Sequence, residues 1–217
     1  MALAVLGVLA YRPLHPYGIQ ALLKRWGKDE VVNIGQRAGL YKTINRLHEA
    51  GLVAARQTER DQQYPERTIY ELTDRGRAVL RQWMGEMLST PRNEFPELPA
   101  ALSFLPLLTP EETLRFLEER KALLSGRLAR LRATLDATTE SGPDPLPRVS
   151  MLETEYLHAV AAAELRWVTE VVDGLRSGTL TWTDEELRTV ASARRDVPEA
   201  ESGTLDHSGM SADHASP

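Results

Sequence analysis

Apolar residues recur at helical spacing three times in the first fifty residues. Residues 2–10 are apolar on nearly every side, which predicts a short buried helix. Pro13 and Pro16 predict a turn, followed by a second helix over 17–26. The apolar stripe of that second helix is Ile19, Leu22, Leu23 and Trp26. A third helix, which ends before Gly51, has the stripe Leu40, Ile44 and Leu47.

The pattern then changes to short stretches of β-forming residues. Residues 52–57 and 68–72 predict two strands, and the polar stretch 58–67 between them predicts a loop. Thr73 is a capping residue for a fourth helix that runs to about Leu88. Three helices, a hairpin and a further helix in this order predict a winged helix-turn-helix.

Two long helices are predicted in the second half of the chain. Five prolines from Pro91 to Pro110 predict a linker with a short helix around 100–105. Helices over 110–138 and 149–177 then present more apolar surface than they can bury on each other. Because exposed apolar patches of that size mark interfaces, we expect a second copy of the chain to cover them. The residues expected at that interface are Leu117, Leu124, Leu128, Leu131, Tyr156, Val160 and Trp167.

The polar face of the third helix is the strongest functional pattern. At 100° per residue, Lys42, Asn45 and Arg46 lie opposite the stripe that contains Leu40. An isolated helix with such a face is usually just solvated, but the third helix of a winged helix-turn-helix enters the DNA major groove. The expected DNA-contacting residues of this helix and its start are Gln36, Arg37, Gly39, Tyr41, Lys42, Asn45 and Arg46. Asn and Arg read base edges, whereas Lys and Tyr suit phosphates.

The predicted loop 58–67 would form the wing. Arg60 and Arg67 are the residues expected to contact the DNA backbone, although Glu59, Asp61 and Glu66 offset part of their charge.

Charge is divided unequally along the chain, whose net charge is −5. Residues 1–88 hold 13 Lys and Arg against 9 Asp and Glu, whereas the remaining residues hold 13 against 22. A basic first part suits contact with a polyanion. The fold expected is therefore mainly α with a small β-hairpin, comprising an N-terminal winged helix-turn-helix and a C-terminal helical dimerisation domain. The expected division is a DNA-binding domain over 1–89, a linker over 90–109, a dimerisation domain over 110–182 and a disordered tail over 193–217.

Catalytic and metal-binding patterns are missing from the sequence. With no cysteine among 217 residues, disulfides, thiol catalysis and thiolate metal sites are excluded. The sequence has no phosphate-binding or dinucleotide glycine motif and no nucleophile elbow, so we expect neither an enzyme nor a bound cofactor. No apolar run reaches the roughly 20 residues of a membrane span, and we expect a cytoplasmic protein. Three aromatic residues have two possible roles, and both stay open: Trp83, Tyr156 and Trp167. Burial in a core or dimer interface is the better interpretation, and contact with a small aromatic ligand is the other.

Three motifs of the first half resemble the PadR-like transcriptional regulators. VLGVLAYRPLHPYGIQALL resembles the family's first two helices, AGLYKTINRLHEAGLV its recognition helix, and RTIYELTDRGRAVLRQW its wing strand and following helix. LTPEETLRFLEERKALL and the later long helix resemble the longer C-terminal domain of the family. Pro16 stands where Gly is commoner, and Gly39 where Ser or Thr is usual. The resemblance implies a homodimeric repressor on inverted-repeat operators, with many members released by small aromatic effectors.

Two alternatives stay open from sequence alone. A winged-helix module can bind protein instead of DNA, but the basic first part and the face with Lys42 and Arg46 favour DNA. A MarR-like regulator usually has dimerisation helices at both ends of its winged helix, whereas here the winged helix begins at residue 3.

Overall fold

The order of elements in the first half follows from the apolar patterns described above. The structure is a computed structural model that describes residues 1–28, 31–32, 37–61, 64–139, 142–143, 145–183 and 185–189, with backbone alone at 37, 57–61 and 64–67. The described residues divide between Asn93 and Glu94 into two units. The elements of unit 1 are α1 (Ala2–Leu9), α2 (Pro16–Arg25), α3 (Arg37–Glu49), β1 (Val53–Asp61), β2 (Tyr64–Leu72) and α4 (Asp74–Ser89). This order is that of a winged helix-turn-helix, as predicted.

The core of unit 1 joins its four helices to the start of the hairpin. Its largest fully buried side chains come from α1, α2, α3 and β1 and include Leu6, Ile19, Leu40, Ile44 and Val53. Trp26 was expected in this core, but its side chain is 40% exposed and meets Tyr11 edge-on at 5.3 Å between ring centroids. Trp26 is the C-cap residue just after α2, and Gly27 follows it with φ at 65°.

Helix α2 starts one residue earlier than its sequence pattern predicts. Pro16 is its first residue, because a proline at that position lacks only an N–H that has no helical partner anyway. The His15 ring caps the helix by accepting a 3.0 Å hydrogen bond from the Gly18 amide. Leu14, just before this cap, exchanges two 3.0 Å backbone hydrogen bonds with Tyr70 of β2.

The hairpin is longer than predicted, and the prediction of a loop over 58–67 was wrong. Strands β1 and β2 pair antiparallel into that stretch, with Thr58 opposite Thr68 and Glu59 opposite Arg67. The register is irregular between Ala55 and Gln57. Backbone hydrogen bonds hold such a ladder without apolar side chains, so the polar sequence does not end the strands.

Unit 2 is built on a pair of antiparallel helices. Its elements are α5 (Glu97–Ser103), a 3-10 turn at Leu105–Leu107, α6 (Pro110–Thr138), a 3-10 turn at Arg148–Ser150 and α7 (Leu152–Ser177). Thr109 and Glu112 form a capping box at the start of α6. Ion pairs join α6 to α7 from Arg120 to Glu164, and from Glu118 to Arg176 at 2.7 Å.

The leucine seam of α6 packs within its own chain. Leu117 and Leu124 are buried against Val168 and Val172 of α7, and Leu131 is buried as well. Leu117, Leu124 and Leu131 were expected at a dimer interface; α7 of the same chain already covers Leu117 and Leu124, and a part for these leucines in a dimer stays a prediction. A leucine stripe suits either partner, since a neighbouring helix of the same chain and one of a second chain require the same spacing.

About 120° around α7 from the side that packs on α6, the helix carries large apolar residues that α6 does not cover. Tyr156 is 68% exposed, Val160 45% and Trp167 39%. No helix among the described residues is long and apolar enough to cross a membrane. The tail predicted over 193–217 lies outside the described residues.

Candidate nucleic-acid interface

Helix α3 separates an apolar side from a polar side. Leu40, Ile44 and Leu47 are at most 4% exposed and belong to the core of unit 1. Lys42, Asn45 and Arg46 are exposed on the other side, as their angular positions predict. Tyr41 beside them is 51% exposed. Within two turns the helix therefore presents an amine, a guanidinium, an amide and a phenol to solvent.

The first turn of α3 includes small residues, which leave space for another molecule to approach its backbone. Ala38 is exposed, and a Cβ added at Gly39 would meet nothing within 4 Å. The hydroxyl of Thr43 donates a 2.9 Å hydrogen bond to the Gly39 carbonyl, so it is engaged within the helix. A hydroxyl at position 39, which the sequence lacks, would have space.

The other predicted contact residues are only partly described. Arg37 is the first residue of α3, while Arg60 and Arg67 lie in β1 and β2 near the end of the hairpin that joins the strands. Only the backbone is described at these three positions. Gln36 lies outside the described residues. Arg60 and Arg67 thus lie in the two strands of the hairpin, where a loop was expected.

Basic residues outnumber acidic ones over residues 1–28 and along α3. Residues 1–28 contain Arg12, Lys24, Arg25 and Lys28 and no acidic residue. Along α3 the first acidic residue is Glu49, at its end. Such clustering raises the local concentration of a polyanion and steers its approach.

One polar contact near the interface was missed by sequence reasoning. Nδ1 of His48 lies 3.1 Å from the carbonyl oxygen of Val53, and the His48 ring meets the Tyr70 ring edge-on at 6.0 Å. Sequence spacing gave a histidine near the end of α3 but no sign of its partner, because the partner is a backbone atom. On the hairpin, Arg56 also pairs with Glu71 at 3.6 Å.

The aromatic ligand candidates lie in different units. Trp83 is half-buried against the core of unit 1. Tyr156 and Trp167 belong to α7 in unit 2, and eleven residues place them about 20° apart on the helix. These two can therefore act on one surface.

A cleft of about 790 Å³ lies where α6 ends and α7 begins. Its apolar lining includes Leu135, Leu146 and Met151. Arg148 forms a two-pronged pair with Glu155 across it, and hydrogen bonding from Arg148 lowers the pKa of the Glu155 carboxyl. None of the predicted site residues lines this cleft. Among the described residues, no group of three or more His, Asp or Glu side chains is arranged to hold a metal ion.

The comparison with protein families agrees with this architecture. Residues 5–82, which span α1 to the middle of α4, match the model of the transcriptional regulator PadR-like family. These residues are therefore PadR-like in sequence. The match covers the core of unit 1 and all of α3. Among curated proteins, none matches the chain.

Solved structures extend the likeness beyond the PadR-like unit. Bacillus subtilis PadR in complex with operator DNA aligns with a TM-score of 0.64 at 19% identity, covering 80% of this chain and 98% of that one. The same protein in complex with p-coumaric acid gives 0.62 at 18% identity, covering 80% and 97%. The Vibrio cholerae virulence activator AphA gives 0.59 at 21% identity, covering 81% and 98%. At these identities the likeness concerns the fold, which includes the helical second unit.

Proposed function

We propose that this PadR-like regulator is a homodimeric repressor that binds operator DNA through α3. The observation that carries the proposal is the two-sided character of α3, whose apolar side is buried while Lys42, Asn45 and Arg46 face solvent. A recognition helix needs this division, because its base-reading side must fit the major groove while the other side holds it to the domain. Bacillus subtilis PadR, which has the same fold, has been crystallised with operator DNA.

The hairpin is proposed to contact the DNA backbone beside that groove. Arg60 and Arg67 lie near its end, and together with Arg37 they would add phosphate contacts that carry no sequence information. The four basic residues over 1–28 would support the same electrostatic attraction.

The exposed side of α7 is proposed as the dimer interface. Tyr156, Val160 and Trp167 share that side and are large enough to need cover. Half-buried Leu128 of α6 remains a candidate at its edge. Two copies of the chain would then bind the two halves of an inverted repeat, with recognition helices about 34 Å apart.

A small aromatic effector is proposed to release the DNA. The fold is shared with Bacillus subtilis PadR, which has been crystallised with p-coumaric acid. Trp167 and Tyr156 are the first candidates for contact, with Trp83 next. An effector acts only through its different affinities for the DNA-binding and released states, so it must contact residues whose surroundings differ between those states.

A gel shift with the DNA upstream of the protein's own gene tests the proposal. We expect a discrete complex at low salt that unrelated DNA of equal length does not compete away. No complex at low salt would contradict DNA binding and favour a winged helix that binds protein. A reporter under that upstream region should fall in activity when the protein is expressed; a rise would make the protein an activator.

A further inference from the structure

The corner between α3 and β1 is fixed from the side of α4. Gly51 turns the chain with φ 68°, and the Leu52 amide donates a 2.9 Å hydrogen bond to the Leu47 carbonyl. The hydroxyl of Thr73 donates to the Gly51 carbonyl at 2.8 Å, and the Thr73 amide to the Leu52 carbonyl at 3.2 Å. These bonds hold the corner itself; beyond it, α3 and β1 are joined by the core packing that contains Leu47 and Val53.

His48 adds a hydrogen bond between α3 and β1 to this packing. Its Nδ1 lies 3.1 Å from the Val53 carbonyl oxygen, and since a carbonyl oxygen only accepts, Nδ1 must carry the hydrogen and donate. Consecutive carbonyls of a strand point to opposite sides. Because the Leu52 carbonyl bonds to Thr73, the Val53 carbonyl points away from β2, to the side where the His48 ring lies.

The contact continues from His48 into the rest of the sheet. The His48 ring lies edge-on to Tyr70, with 74° between the ring planes. Tyr70 is opposite Ala55 in the hairpin, and its backbone exchanges two hydrogen bonds with Leu14. An uninterrupted set of contacts thus runs from the end of α3 across both strands to the residue before the cap of α2.

We infer that His48 is a positioning residue, which fixes the angle between α3 and the hairpin so that both meet DNA as one surface. The inference rests on the proposed DNA binding and names what holds its two contacting elements together. The core already packs Leu47 of α3 against Val53 of β1, but apolar packing is not directional, whereas a hydrogen bond is, so any remaining change of angle would cost conformational entropy on binding DNA. The bond from His48 to Val53 removes that freedom before DNA arrives.

The hydrogen bond can be tested without DNA. Nitrogen NMR of the full chain, at a pH where the ring is neutral, distinguishes the two tautomers of a histidine. We expect the proton of His48 on Nδ1. A proton on Nε2 would overturn the inference, because the ring could then not donate to Val53.

The role in binding is tested with two substitutions of His48. In His48→Asn the side-chain amide nitrogen takes the place of Nδ1, so the hydrogen-bond donor is kept. In His48→Phe the aromatic ring is kept and the donor is lost. We expect His48→Asn to bind the upstream DNA within about twofold of the wild type, and His48→Phe to bind roughly three- to tenfold more weakly, the range of one hydrogen bond. Tyr70→Phe, which keeps the ring, should match the wild type.

The dependence of affinity on salt separates positioning from a general loss of structure. A partly unfolded protein binds less but contacts the same phosphates, so its slope against salt stays unchanged. A hairpin released from α3 loses its phosphate contacts, and the slope of His48→Phe should be shallower than that of the wild type. Two results would overturn the role of His48 and leave the proposed function intact. One is a His48→Phe protein with the affinity and the salt slope of the wild type. The other is a His48→Asn protein that loses as much affinity as His48→Phe. No binding by the wild type would instead contradict the proposed function, and the role of His48 with it.

Discussion

The Leu52 carbonyl oxygen lies so close to Gly76 that a side chain at position 76 would collide with it. The amide of Gly76 is at the same time bound to the hydroxyl of Thr73 at 2.9 Å. The first turn of α4 therefore packs directly against the backbone that leads from α3 into the hairpin. A glycine is needed here for close approach and not for an unusual backbone angle.

Gly76→Ala should destabilise unit 1 by about 1–3 kcal/mol, the usual cost of overpacking. The matched control is Gly85→Ala in the same helix, where an added Cβ meets nothing within 4 Å. That change should stabilise the helix by about 0.5–1 kcal/mol, because alanine loses less backbone entropy. Denaturant unfolding measures both, and equal effects would show that the packing at Gly76 is looser than described.

A buried hydroxyl in α6 gives a second stability prediction. Thr113 is 1% exposed, and its Oγ1 has no hydrogen-bond partner among the described residues. Thr113→Val removes this hydroxyl at little change in volume and should stabilise unit 2 by about 1 kcal/mol. Thr113→Ser keeps the hydroxyl, loses the methyl and should destabilise. If Val also destabilises the protein in thermal unfolding, the hydroxyl has a partner, such as a bound water.

The start of α6 should respond to acid. Hydrogen bonds from the amide and hydroxyl of Thr109 lower the pKa of Glu112. A carboxyl whose pKa is lower in the folded state stabilises the fold fully at pH values above its unfolded pKa of about 4.3. This stabilisation is lost as the pH falls through the pKa of the folded state. Glu112→Gln should therefore flatten the fall of melting temperature in this acidic range. Glu111→Gln, which removes the same charge from the same turn without touching Thr109, is the control.

The dimer prediction separates the two sides of the helix pair. Val160→Glu changes an exposed side chain of α7, so the chain should fold but sediment as a monomer. Leu124→Glu places a charge where the side chain is 7% exposed and should disrupt unit 2 itself. Sedimentation and circular dichroism distinguish the outcomes. A Val160→Glu chain that is still dimeric at micromolar concentration would place the interface elsewhere.

The helices and their faces could be predicted from sequence because periodicity reports them directly. Leu40, Ile44 and Leu47 are buried and Lys42, Asn45 and Arg46 exposed, as their spacing requires. The start of α6 followed equally from its capping residues, and the structure has the complete capping box at Thr109.

Three features could not be predicted, each for a physical reason. The hairpin extends through charged residues such as Glu59 and Arg67, because its backbone pairing does not depend on apolar alternation. Leu117 and Leu124 face α7 of their own chain, which spacing alone cannot distinguish from a second copy. The contact of His48 joins a side chain to a backbone oxygen, and sequence patterns carry no information on such pairs.

Base reading by α3 predicts an effect on sequence preference. Asn45→Ala should lower the affinity for the operator by about 1–3 kcal/mol for a lost base contact, and affinity for unrelated DNA much less. Lys42→Ala should weaken both kinds of DNA alike, since a phosphate contact is independent of sequence. Competition binding against an operator with single base changes measures the preference. An Asn45→Ala protein with unaltered preference would remove Asn45 from the base-reading set.

The most direct test of DNA recognition by α3 is the binding affinity of the Lys42→Ala, Arg46→Ala double variant for the upstream DNA, measured by fluorescence anisotropy at several salt concentrations. Arg81→Ala, an exposed basic residue of α4 in the same unit, is the control for charge. We expect the double variant to lose most of its affinity and to show a shallower salt dependence, with Arg81→Ala close to the wild type. A double variant that binds as tightly as the wild type would contradict the assignment of α3 as the recognition helix.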